Sequence, residues 1–170
     1  MTSTIKQEAA RDAERLLNEV WGRPVPVDPA FIARAVGLRV LEVELDEDTL
    51  GALVKRPNQD ALIMLNQSDP PNRKRFTCAH EIGHYRRRSS EEREYTTVDL
   101  RSKLSTAGTD PEEIYANEFA ACLLMPAEEV KGMDKAGLDD FDMAIRFGVS
   151  RDAMHYRLKN LDLRACRRVG

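Results

Sequence analysis

The order of patterns along the chain predicts an α+β fold: helical stripes at both ends enclose a run of short segments rich in Val, Leu and Ile. With 42 % apolar and 32 % charged residues, the 170-residue chain can bury a core and is too apolar for general disorder. No apolar run is long enough for a membrane span.

Ile5, Ala9, Ala13, Leu16, Leu17 and Val20 recur at spacings of three and four, which makes residues 5–20 one amphipathic helix, stopped before Pro24 and Pro26. Asp28 followed by Pro29 reads as an N-cap with proline at the first helical position, opening a short helix that ends at Gly37. Leu38–Leu45, Leu50–Lys55 and Ala61–Asn66 then read as strands separated by the turn compositions DEDT and RPNQD. A small antiparallel three-stranded sheet is expected from them. Two longer helices follow, Pro71–Arg88 and Pro111–Met125, the second broken by Pro126.

Between these helices lies a polar stretch, Ser89 to Asp110, expected to be a substrate-facing loop, in which Tyr95 to Leu100 fits a short strand. From Leu138 onward two helical stripes joined at Gly148, with Ser150 as N-cap, give a helix-turn-helix silhouette. The expected organisation is a core over residues 1–130 and a helical extension over 131–170 packed on it.

Charge narrows the function classes. Twenty-six basic against twenty-nine acidic residues leave a net charge of -3, without the basic excess of most nucleic-acid-binding proteins. The C-terminal helical pair is itself slightly acidic, so a structural pair or a protein-contacting one is favoured over DNA readout. The charge-rich N-terminus does not read as a signal peptide, and three cysteines without CxxC spacing suit a reduced, cytoplasmic protein. Cys78 and Cys122 fall on faces away from the residues discussed next and are assigned to packing, and Cys166 to the tail.

The chemistry concentrates in His80-Glu81-Ile82-Gly83-His84. Two histidines four residues apart lie about 40° from one another around a helix, so one cation can meet both. Glu81 projects from an adjoining face, placed to manage the proton of a water that such a cation activates. A catalytic zinc usually takes three protein ligands and keeps one position open, yet no third histidine follows at a suitable spacing. On the helix PEEIYANEFAACLLMP, Glu113, Ala116, Asn117, Ala120 and Leu124 share a face, and its alanines permit close approach to the HEIGH helix. Glu113 is the favoured third ligand, its alternative being a solvated first-turn carboxylate favoured by the helix dipole. Asn117 is placed to hydrogen-bond a ligand histidine's second ring nitrogen. Tyr85, Tyr95, Tyr115 and His155 remain open as oxyanion donors, and Arg86, Arg87 and Arg88 read as a solvated helix end.

RFTCAHEIGHY followed by EEIYANEFAACLLMP resembles the ImmA/IrrE family of zincin-like metallopeptidases, over most of residues 25–163. The resemblance implies a minimal zincin-like fold, with the sheet packed on the HExxH helix and the second ligand helix. It also implies metal ligation by His80, His84 and Glu113 and a general-base role for Glu81. Tyr115 departs from the acidic residue that many relatives carry there. The implied activity is that of a gluzincin-like zinc endopeptidase, Mn2+ being the other metal considered. The implied substrate is a helix-turn-helix repressor or antitoxin in a stress or mobile-element response. Two rival readings stand beside it: a noncatalytic metal-bound protein that binds such a partner, and a helix-turn-helix transcription factor.

Overall fold

The computed structural model describes residues 2–22, 24–88, 94–100 and 110–163. In chain order the elements are α1 (Thr2–Val20), α2 (Pro29–Ala35), β1 (Arg39–Val43), β2 (Thr49–Lys55), β3 (Leu62–Asn66) and α3 (Pro71–Arg88). There follow β4 (Tyr95–Leu100), α4 (Pro111–Leu124), α5 (Ala127–Lys135), α6 (Asp140–Phe147) and α7 (Arg151–Asn160).

Local signals fix several boundaries. The Asp28 carboxylate accepts from the backbone N–H groups of Ala30 and Phe31, and Ser150 Oγ accepts from that of Ala153, so both expected N-caps are made. Gly148 ends α6 in the left-handed conformation at φ 64°. Helix α5 is an addition: the sequence reading placed nothing between Pro126 and Leu138, but proline stops α4 and then stands at the N-cap position of the next helix.

The sheet corrects the expectation. It has four strands in the order β1-β3-β2-β4 and is mixed, not a three-stranded antiparallel sheet. Strand β1 pairs parallel with β3, whereas β2 pairs antiparallel with both β3 and β4. The DEDT segment does reverse the chain, but it sets β2 one strand over, and β3 fills the gap. Turn composition reports reversal and not adjacency. Strand β3 needs neighbours on both sides because Ile63 and Leu65 are buried, while β1, with Arg39, Leu41 and Glu42 exposed, suits an edge.

One face of the sheet carries α3, which is enclosed on its other side by α4; α1 covers α4. These contacts are close because small residues stand where elements cross. A Cβ on Gly51 would lie 2.6 Å from Thr77 Cγ2, and one on Gly83 would lie 3.0 Å from Ala116 Cα. The C-terminal helices join the same core through Met143, Phe147, Met154 and Leu158. Arg75 of α3 fastens them there, donating to the carbonyls of Phe147, Gly148 and Val27. Among the described residues no helix is long and apolar enough to cross a membrane.

Candidate metal centre

The second half of α3 runs between sheet and helix, so Thr77 to His84 are all buried. Cys78 and Ile82 pack in the hydrophobic core, while His80 and His84 face α4. Burial pushes the Cys78 and Cys122 thiols up to about 12, which keeps both protonated and inert as the packing assignment requires. Cys166 lies outside the described residues.

The structure brings together the residues singled out from the sequence. Glu113, in the first turn of α4, sets Oε2 3.4 Å from His80 Nε2 and Oε1 3.3 Å from His84 Nε2. The two Nε2 atoms stand 2.9 Å apart. Asn117, one turn beyond Glu113, has Oδ1 3.0 Å from His80 Nδ1. That amide oxygen can only accept, so Nδ1 carries a proton and Nε2 is the ring atom turned toward the cluster. Glu81 is fully buried; Thr97 Oγ1 donates to its Oε2 at 3.2 Å, and Oε1 has no hydrogen-bond partner among the described residues.

Two members were missed by the sequence reading, and both come from β4. Pairing of β4 with β2 turns Tyr95, Thr97 and Asp99 to the α3 side. Thr97 meets Glu81, and Asp99 Oδ2 lies 3.1 Å from His80 Nε2. Alternation in YTTVDL pointed the other way, since it would turn Val98 and Leu100 inward, whereas Val98 is 45 % exposed.

The donor set suits a divalent cation. Ligand atoms of His80, His84, Asp99 and Glu113 all lie within 4.8 Å of one another. Around a tetrahedral zinc, atoms at about 2.0–2.1 Å stand roughly 3.3 Å apart, and the contacts of 2.9–3.4 Å are of that size. Lone pairs and carboxylate oxygens crowded in this way repel unless a cation or added protons sit among them. The protein's own electrostatics show the demand. Burial disfavours a charged His80, yet the carboxylates of Asp99 and Glu113 overcome it and raise its pKa to about 10. Hydrogen bonds from His80 and His84 hold the Glu113 carboxyl well below the usual range. Glu81 is shifted upward, first by burial and then by the charge of Asp99.

Other expectations are revised. The Tyr115 hydroxyl is engaged by Asp12 of α1 at 2.7 Å, and His155 stacks edge-on with Tyr156 on α7. The arginine run is not a solvated end: Arg87 lies over the Tyr115 ring and pairs with Glu8, and Arg88 lies over the Tyr95 ring and pairs with Glu112. Aromatic and acidic partners from other elements gather there, which charge alone did not reveal. Most of the expected Ser89–Asp110 loop lies outside the described residues.

An HExxH helix beneath a mixed sheet, faced by a second helix bearing a glutamate, defines a small zincin-like domain. The chain belongs to the peptidase M78 family: the profile of its IrrE N-terminal-like domain matches residues 33–159. No curated protein matches the sequence significantly. Among solved structures, a Mycobacterium tuberculosis transcriptional regulator is similar in fold, with a TM-score of 0.63 and 21 % sequence identity. The match covers 90 % of this chain and 46 % of that one, so the chain spans about half the length of that relative.

Proposed function

We propose that this chain is a metal-dependent endopeptidase, zinc being the resident ion, with His80, His84 and Glu113 as ligands and Glu81 as general base. The convergence of the three ligand groups beside a buried carboxylate carries the reading. A divalent ion held there supplies the Lewis acidity that polarises an amide carbonyl and eases deprotonation of water. Asn117 fixes the His80 tautomer, and His84 and Glu113 complete the donor set. Glu81 takes the proton from the attacking water through its unpartnered Oε1 and passes it to the leaving amine.

The substrate we propose is a helix-turn-helix repressor or antitoxin, cut in the cytoplasm during a stress or mobile-element response. Membership of the peptidase M78 family supports proteolysis, and the structural relative, a transcriptional regulator, favours gene regulation as the setting. Direct DNA contact by α6 and α7 is the second reading, favoured by that same relative.

Glu81→Gln is the deciding variant, because it keeps the side chain's shape and removes the base. Metal content should match the parent, turnover should fall about 10²-fold or more, and the uncut substrate should copurify with the variant from the native host. Unchanged cleavage would remove Glu81 from the mechanism. Sequence-specific DNA binding without proteolysis would favour the regulator reading.

A further inference from the structure

We propose that Asp99 is a fourth ligand of the metal centre, closing in the resting protein the position that water needs. The inference rests on the metal-centre reading above and adds a state to it.

Asp99 approaches His80 as closely as Glu113 does, although only Glu113 also meets His84, at 3.3 Å. Its Oδ2 lies 3.1 Å from His80 Nε2, nearer than the 3.4 Å of Glu113 Oε2, and its side chain is the more enclosed at 15 % against 31 % exposure. Asn117 keeps a proton on His80 Nδ1, so Nε2 is the atom that Asp99 and Glu113 both face, and what lies between them is a second proton or a shared cation. A carboxylate in that position is stabilised by sharing a cation with the imidazole. Two imidazoles and two carboxylates complete a four-coordinate, charge-neutral shell around a dication, and a complete protein shell is the mark of a closed site. Hydrolysis by Glu81 needs a water at the metal, so Asp99 must withdraw before turnover.

The strand that carries Asp99 is built for such a movement. Among the described strands β4 stands at the edge of the sheet, where β2 is its partner. Asp99 lies opposite Gly51, so no cross-strand side chain separates it from α3, and the β2–β4 register is interrupted between Thr49 and Gly51, beside that pair. An irregular ladder at the end of an edge strand separates from its neighbour more readily than a regular central one. Displacement of the Asp99 end of β4 opens the shell while His80 and His84 stay fixed on the buried helix.

Cobalt(II) substitution tests this without a substrate. The chelator-treated protein is reloaded with Co2+, and its visible absorption is followed as azide is added. The parent should bind about one ion per chain and show little response to azide, whereas Asp99→Ala should respond strongly and bind Zn2+ at least about tenfold more weakly against a chromogenic chelator. Asp99→Asn, which preserves shape, should change in the same directions and serves if the alanine variant does not fold. Normal metal loading with parent-like affinity and azide response in both variants would overturn the role of Asp99 and leave the metal centre standing. Failure of the parent to bind Co2+ or Zn2+ would overturn both.

Discussion

Helix α3 and strand β4 each contribute two kinds of group to one site, and they differ in how the groups are held. His80, Glu81 and His84 sit on a single helix that is buried on all sides through this stretch, so their relative positions are set by helix geometry and locked by packing. Thr97 and Asp99 reach the same place from an edge strand, and their positions depend on how that strand pairs with β2. The helix supplies a fixed half and the strand a half that can be moved. A site divided in this way can keep its metal while its reactivity is controlled.

The largest expected effect lies on the ligands that the helices α3 and α4 carry. His80→Ala or Glu113→Ala should lose most of the bound metal, from about one ion per chain toward none, as measured by elemental analysis of the purified protein. Retention of full metal in both folded variants would break the assignment. Loss in His80→Ala alone would keep the helix motif and transfer the third-ligand role from Glu113 to Asp99, which would sharpen the comparison in favour of the strand.

The fit between α3 and α4 is the next most sensitive point. Gly83 has Ala116 Cα 3.0 Å and Phe119 Cβ 3.3 Å from where its Cβ would stand. Gly83→Val should destabilise the fold by about 1–3 kcal/mol through overpacking, more than the fraction of a kcal/mol of helix propensity regained. Because α4 carries Glu113, metal affinity should weaken along with thermal stability. A variant as stable as the parent would show that α4 moves freely relative to α3.

The same division explains what was legible in the sequence. Histidines four residues apart declare a shared helix face wherever the helix lies, and Glu113 with Asn117 repeats that logic on α4. Each of these statements holds within one element. The parallel pairing of β1 with β3 does not, because the DEDT segment reverses the chain whether or not the next strand is adjacent. Asp99 was hidden for the same reason: its meaning depends on β4 forming, on pairing at β2's open edge and on which face turns toward α3. Arg87 and Arg88 find their aromatic partners on other elements, α4 and β4, which charge patterning within one helix does not reveal.

The smallest expected effect concerns Thr97, whose hydroxyl donates to Glu81 Oε2 at 3.2 Å. A single hydrogen bond of this kind contributes about 1 kcal/mol, roughly a fivefold change in rate if it orients the base in the transition state. Thr97→Val removes the hydroxyl while keeping a branched side chain suited to a strand, so the fold should be undisturbed. On a peptide spanning the cut site of the substrate captured with Glu81→Gln, kcat should fall about fivefold, with KM and metal content unchanged. Thr97→Ser restores the donor and should recover most of the rate. Equal rates in all three proteins would mean that β4 does not position Glu81. A parallel loss of metal and rate, unrescued by serine, would mean that the strand acts on the site by packing alone.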